Sequence, residues 1–137
     1  MATPYGDVLS LSPELFLEFT PDKVIPRPIK GTRPRSQDLI EDEKLRQDLA
    51  SHPKDRAENL MIVDLLRNDL SRHAQIGSVS AHPLFQTETF RHVHHLVSEV
   101  SCRLKEGSHP LDLLFDAFPG GSITGAPKKR AQEIIRE

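Results

Sequence analysis

The chain has 137 residues, 36% of them hydrophobic, and a net charge of −2 at neutral pH. This length suits one domain with one core, and the slightly negative charge argues against nucleic-acid binding, which needs an excess of basic residues. The best apolar run, residues 60–66, is short and contains an aspartate, so we expect no membrane span. A single cysteine, Cys102, and no predicted export signal favour a cytoplasmic protein.

Extended segments are predicted in the first part of the chain. VLSLS (8–12) and LFLEF (15–19) predict a hairpin or two successive short strands that turn at Pro13. VIPRPI (24–29) predicts a third extended piece, because each of its two prolines fixes its own φ and pushes the preceding residue toward extended geometry.

Lys30 follows this rigid segment directly, in RPIKGTRP (27–34). Gly31 lets the backbone turn or approach another group closely, so we expect the lysine side chain to have a defined direction. Most lysines are solvated surface charges, and this window alone favours that interpretation over a nucleophile.

The remaining segments alternate between helical and extended patterns. In chain order, the sequence predicts helices over 37–51 and 53–72, strands over 78–90 and 95–104, a short helix over 110–118, a loop over 119–127 and a helix that begins at Pro127. These elements indicate a mixed α/β (α+β) domain in which antiparallel connections predominate near the N-terminus. The strand pattern starts just after Met1 and the last helix has no cap, so we expect a fragment that is truncated at both ends.

Glu58 is a candidate metal ligand on the second predicted helix. Apolar residues lie three, four and seven positions further on, on the same helix face. A covered carboxylate needs a cation, a metal or a proton. A salt bridge to Lys54 or Arg67 is favoured by spacing, and Asp55 on the same side raises the metal alternative.

The segment GGSITGAPKKR (120–130) has the composition of an anion site at a helix N-terminus. Four of its residues are predicted to expose backbone N–H groups: Gly120, Gly121, Ser122 and Gly125. The segment is not a P-loop, because Ala126 and Pro127 stand where lysine and serine or threonine belong. Its three basic residues, 128–130, lie in the first helical turn, where the helix dipole disfavours cations unless an anion binds. Solvated side chains are the alternative.

RHVHHLVS (91–98) contains three histidines. On a strand, His92 and His94 share one face and His95 lies on the other, which argues against a three-histidine metal site. His95 either lines a cleft or is a hydrogen-bonded histidine of the sheet, and the sequence favours neither alternative.

Five segments together resemble the chorismate-utilising enzymes in their order and spacing. They are SLSPE (10–14), RPIKGT (27–32), DRAENLMIVDLLRND (55–69), HHLVS (94–98) and FPGGSITGAPKKRA (118–131). The resemblance extends from Leu9 to Glu137. Lysine in PIKGT, together with GGSITGAPK, is similar to the aminodeoxychorismate synthase branch, whereas other branches usually have a small residue in place of Lys30.

This resemblance implies a fold of two packed antiparallel sheets flanked by helices, of which residues 1–137 supply part of the catalytic domain. It implies conversion of chorismate and ammonia to 4-amino-4-deoxychorismate, for p-aminobenzoate and folate synthesis. The ammonia would come from glutamine through an amidotransferase subunit or domain. Because the chain is partial, we expect it to be marginally stable and inactive by itself.

The resemblance also implies roles for individual residues. Lys30 would attack C2 of chorismate and expel the C4 hydroxyl, after which ammonia would add at C4 and release the lysine. Glu14 would handle the protons, and His95 would lie near the ring and the leaving hydroxyl. Glu58 would hold Mg²⁺, with Asp55 as a helper and a second ligand outside this chain. The substrate carboxylate would bind at Gly120, Gly121, Ser122, Thr124 and Gly125.

Two alternatives stay open. Within the enzymes, anthranilate synthase component I is the nearest rival, and Lys30 argues against it. In another class, the chain would be a non-catalytic remnant that binds a dicarboxylate or a partner subunit through residues 120–130.

Overall fold

The computed structural model describes residues 2–7, 9 and 11–137 and has a mixed α/β architecture, as predicted. In chain order its elements are β1 (Ala2–Thr3), β2 (Gly6–Asp7), β3 (Leu15–Phe19), β4 (Val24–Arg27), β5 (Ile29–Pro34), α1 (Leu39–Ser51), α2 (Pro53–Ser71), β6 (Ser80–Ala81), β7 (Gln86–Thr89), β8 (Val93–Val97), β9 (Val100–Ser101), α3 (Pro110–Ala117), α4 (Gly121–Thr124) and α5 (Lys128–Arg136). Every strand pair between these elements is antiparallel. None of these helices is long and apolar enough to cross a bilayer.

The N-terminal hairpin consists of β3 and β4, so the predicted LFLEF strand is confirmed. Its turn lies at residues 20–23, where the Thr20 N–H donates to the Lys23 carbonyl at 2.8 Å. The predicted strand over 8–12 is wrong for the described residues of that segment, none of which lies in a strand, while Val8 and Ser10 lie outside the described residues. The chain does bend at Pro13, as predicted, directly before β3. Leu11 is fully exposed, so burial does not favour an extended pairing there.

The central sheet has the strand order β5-β8-β7, and helices α1 and α2 pack against it. His94 and Leu96 on β8 are buried. The His94 Nε2 atom lies 3.1 Å from an Asp42 carboxylate oxygen on α1, and the Asn59 side chain on α2 donates to the Leu96 carbonyl at 3.2 Å. These polar contacts join one face of the sheet to both helices.

Helix ends follow local chemistry. Asp38 accepts hydrogen bonds from two backbone N–H groups of the first turn, so α1 starts at Leu39, two residues later than predicted. Helix α2 starts with Pro53 as predicted, and the His52 ring accepts from the Asp55 N–H. On the exposed side of α1, Arg46 and Gln47 hydrogen-bond to Glu43 and lower its pKa to about 2.

Helix α2 is less covered than predicted. Its buried residues lie on one face, whereas Leu60 and Met61 are each 50% exposed. The buried face packs into the core with strand and helix residues from elsewhere in the chain. These core side chains are Val24, Ile62, Val63, Leu66, Leu70, Ala74, Val100, Cys102, Leu113 and Ala117.

Three further segments differ from expectation. The predicted strand over 78–90 is divided into β6 and β7, which belong to different sheets. The predicted strand over 95–104 is divided into β8 and β9, because the buried Ser98 hydroxyl donates to Asn59 at 2.6 Å and accepts from the Phe85 N–H at 2.9 Å. The predicted loop over 119–127 contains the short helix α4, although the predicted helix before it is confirmed as α3.

Candidate active site

Lys30 lies in a β-bulge. Ile29 pairs with Val97 and Thr32 pairs with His95, so one strand advances three residues while the other advances two. The extra residue falls at Lys30 and Gly31, and Gly31 has the positive φ of +94° that favours glycine. Lys30 is partly buried, and its ammonium has no ion pair within the described part of the chain.

Gly31 is also where the strand approaches the helices most closely. A Cβ atom at this position would lie 2.9 Å from the Asp55 Cβ atom and 2.9 Å from the Leu49 Cδ1 atom, both closer than carbon atoms pack. The bulge therefore rests directly on one side chain of each helix.

Three charged side chains and one backbone carbonyl lie around the contact between Gly31 and the helices. We call this group the Arg33 cluster, and it consists of Arg33, Asp48, Asp55 and the Thr32 carbonyl. Arg33 donates to Asp48 at 2.7 Å, to Asp55 at 2.9 Å and to the Thr32 carbonyl at 3.1 Å. The hydrogen bond with Asp48 raises the pKa of Arg33, burial opposes this, and Asp55 adds to the increase. The cluster joins β5 to α1 and α2.

His95 lies beside this bulge on the adjacent strand. Its Nδ1 atom is 2.9 Å from the Thr32 hydroxyl, and its ring centroid is 5.5 Å from that of Phe90. His94 points instead to Asp42, so the predicted alternation of His94 and His95 between faces is confirmed. Of the two alternatives for His95, the structure shows a hydrogen-bonded sheet histidine that is partly exposed.

Glu14 shares a cavity of about 240 Å³ with the glycine-rich segment. Gly120, Ser122 and Ile123 line this cavity together with Phe16 and Phe118 among others. The hairpin register places Leu15 opposite Arg27, so Glu14 lies at the end of the hairpin from which the chain continues to Lys30.

The glycine-rich segment is held by close packing. Gly121 is buried, and a Cβ atom there would lie 1.7 Å from the Leu65 Cδ2 atom. Thr124 is partly buried, and its hydroxyl lies 3.4 Å from the Gly120 carbonyl. The predicted exposed N–H of Gly125 is wrong, because that group donates to the Gly121 carbonyl at 2.9 Å and closes the helical turn.

Glu58 is not the covered carboxylate that the helix pattern predicted. Its side chain is 46% exposed and lies 3.8 Å from the Lys54 ammonium, which confirms one of the two predicted salt bridges. Asp55 forms ion pairs with Arg33 and His52, whereas Glu58 is paired with Lys54. The described residues contain no group of three potential metal ligands. Glu58 can therefore supply one oxygen ligand to Mg²⁺, without a complete site around it.

Lys128 has a partner that the sequence interpretation missed. Its ammonium donates to Asp69 at 3.0 Å and to the Ala117 carbonyl at 2.8 Å, and both side chains are nearly buried. The expectation that an anionic ligand compensates this cation is therefore wrong. The available signal was Asp69 itself, which lies three residues after Leu66 on the buried face of α2.

The structure thus groups the predicted residues in two places. Lys30 and His95 lie on the neighbouring strands β5 and β8. Glu14 lines cavities together with Gly120, Gly121 and Ser122. A second cavity, lined by Glu14, Pro28 and Ile62 among others, adjoins the glycine-rich segment. Glu58 lies one turn before Ile62 on α2.

Comparison with known proteins identifies the family of this chain. The family described as chorismate binding enzyme matches residues 1–137. Aminodeoxychorismate synthase component 1 of Klebsiella aerogenes is 59% identical over 132 residues, which are 96% of this chain and 29% of that protein. Anthranilate synthase component 1 of Bacillus subtilis is 44% identical over 131 residues, 96% of this chain and 25% of that protein.

The fold of this chain is also found in a solved structure. Anthranilate synthase component I of Streptococcus pneumoniae superimposes with a TM-score of 0.76 at 37% identity, over 90% of this chain and 26% of that one. The chain therefore spans less than a third of the length of these relatives.

Proposed function

Because this chain belongs to the family of chorismate binding enzymes, we propose that it carries the lysine-dependent part of an aminodeoxychorismate synthase. The observation that carries this proposal is Lys30, held in a bulge between a proline-flanked strand and a glycine packed on two helices. A nucleophile gains most from such a fixed direction, because the reacting atoms are then already oriented.

The proposed reaction has two displacements. The Lys30 amine forms a bond to C2 of chorismate, both ring double bonds shift, and the C4 hydroxyl leaves as water after it receives a proton. Ammonia then bonds to C4, both double bonds shift back, and the lysine is released. The sum is chorismate plus ammonia giving 4-amino-4-deoxychorismate plus water, and two successive displacements are consistent with overall retention of configuration at C4.

Other residues have proposed supporting roles. Glu14 protonates the leaving hydroxyl and accepts a proton from the entering ammonia, and its cavity adjoins the backbone N–H groups that would receive a substrate carboxylate. His95 donates a hydrogen bond near the leaving hydroxyl. Glu58 is proposed as one ligand of Mg²⁺, which would offset the charge of the substrate carboxylate. Ammonia is proposed to come from glutamine through an amidotransferase subunit or domain.

The test is the intact mass of a protein that carries this chain within a catalytic domain as long as that of its relatives, after incubation with chorismate and Mg²⁺ in the absence of ammonia. We expect an adduct of chorismate less water in the unmodified protein, and none in Lys30→Met. Lys44→Met is the matched control, because Lys44 is an exposed lysine on α1, and it should form the adduct normally. An adduct that survives in Lys30→Met would make another residue the nucleophile.

Anthranilate synthase activity is the second candidate, and the relatives with that name favour testing it. Chorismate and ammonia are supplied together, and the products are separated. Fluorescent anthranilate with release of pyruvate would support the second candidate, whereas a product that keeps the enolpyruvyl group supports the first. Chorismate binding without either product would favour a non-catalytic binding function.

The proposed role of Glu58 has its own control. Glu58→Gln should abolish the Mg²⁺ dependence of chorismate binding, measured by calorimetry with and without a chelator. Asp64→Asn removes a more exposed carboxylate from the same helix and should leave that dependence unchanged. Equal behaviour of the two variants would remove Glu58 from the metal site.

A further inference from the structure

The bulge that presents Lys30 depends on a contact that the proposed chemistry does not use. We propose that the ion pair between Arg33 and Asp55 is a positioning device, which holds Lys30 in a fixed arrangement relative to His95. The inference rests on the proposed function, because Lys30 and His95 matter only if they act on substrate.

The Asp55 side chain on α2 packs against the bulge at Gly31. Its carboxyl group is 15% exposed, and its Cβ and Cγ atoms would lie 2.9 and 3.1 Å from a Cβ atom on Gly31. The backbone next to Lys30 can therefore lie where it does only because glycine leaves room for this side chain. A change in the position of Asp55 would change the path of the strand at the residue after Lys30.

Arg33 extends the contact to His95. Its guanidinium binds the Asp55 carboxylate at 2.9 Å and the Thr32 carbonyl at 3.1 Å. The hydroxyl of the same Thr32 lies 2.9 Å from the His95 Nδ1 atom. A planar guanidinium presents several donors in a rigid fork, so one side chain joins the strand immediately after Gly31 to the carboxylate that packs on Gly31.

The chain contains a matched control in Asp48. This residue also binds Arg33, at 2.7 Å, but its side chain is 54% exposed and none of its atoms is among the three nearest to a Cβ atom on Gly31. Asp48→Asn and Asp55→Asn remove the same charge beside the same arginine with almost no change of volume. They differ in whether the carboxylate supports the bulge.

Two measurements on the full chain test the proposal without requiring activity. Asp55→Asn should increase amide hydrogen exchange in residues 29–34 by about tenfold, because the strand opens more easily when its support is weakened. It should also move the His95 Nδ1 signal in proton–nitrogen NMR toward that of a free imidazole. Asp48→Asn should change exchange by less than about twofold and leave the His95 signal in place.

If Asp55→Asn destabilises the whole chain, Arg33→Lys provides the second test. This variant keeps the positive charge but loses the fork that reaches the Thr32 carbonyl, so the His95 signal should move in the same direction. Equal responses to Asp48→Asn and Asp55→Asn, or no response of His95 to either Asp55→Asn or Arg33→Lys, would overturn the proposal.

Adduct formation on Lys30 separates this inference from the proposed function. If the unmodified protein forms the adduct, Asp55→Asn should form it at least about tenfold more slowly, and an unchanged rate overturns positioning while the function stands. If the unmodified protein forms no adduct although the His95 signal responds to Asp55→Asn, the catalytic roles are overturned and the structural dependence of the strand on Asp55 is supported.

Discussion

Substitution of Gly121 by alanine should reveal how the glycine-rich segment is held against α2. The new methyl group would lie 1.7 Å from the Leu65 Cδ2 atom and 2.8 Å from the Leu65 Cγ atom. Non-bonded carbon atoms need about 3.5–4.0 Å, so α4 or Leu65 must move by about 2 Å. The substitution therefore tests a single identified contact between two elements.

The magnitude follows from two opposing effects. Overpacking a filled site costs about 1–3 kcal/mol, while replacing glycine by alanine recovers about 0.4–1 kcal/mol, because the unfolded chain loses freedom. We expect Gly121→Ala to lower the free energy of unfolding by about 1–2 kcal/mol. Leu65→Ala removes the atoms that clash, so the double variant should be more stable than the sum of the single changes by about 1–3 kcal/mol.

The assay is urea denaturation of the four proteins of this cycle, followed by circular dichroism and fitted with a common slope. Ser122→Ala is the neighbouring control, since Ser122 is exposed, and it should change stability by less than about 0.5 kcal/mol. Additive effects of Gly121→Ala and Leu65→Ala within about 0.5 kcal/mol would refute the contact.

Three further outcomes are expected. Gly31→Ala should destabilise the chain by about 1–3 kcal/mol in urea denaturation, because the site is filled and its φ is positive; an unchanged midpoint would contradict the close packing. Asn59→Ala should cost about 2–4 kcal/mol, since it leaves the buried Ser98 O–H without its acceptor and removes the side-chain donor to the Leu96 carbonyl; a loss equal to that of an exposed asparagine would contradict this. The pKa of Glu43 is lowered from 4.5 to about 2 chiefly by Arg46, so its contribution to stability is full above pH 4.5 and is lost as pH falls toward 2. In a pH series of thermal unfolding, Glu43→Gln should therefore lose less stability than the unmodified protein over this window, and parallel curves would contradict the pairing.

Local sequence chemistry was sufficient for most helices. Asp38 and Pro53 mark the starts of α1 and α2 because capping and proline geometry act within one turn. The paired prolines before Lys30 likewise predicted an extended segment, which the structure confirms as β4 and the start of β5. The motifs that indicated the family depend on residue order alone, and the family match agrees with them.

Contacts between distant residues were decided only by the tertiary structure. The bulge at Gly31 depends on the register of β5 against β8, which no local pattern specifies. Helix periodicity assigned burial to Glu58, whereas Asp69, near the other end of α2, is the carboxylate that meets Lys128, 59 residues further along the chain. Amphipathic spacing tells which residues share a helix face, but the face that becomes buried is chosen by the elements packed against it.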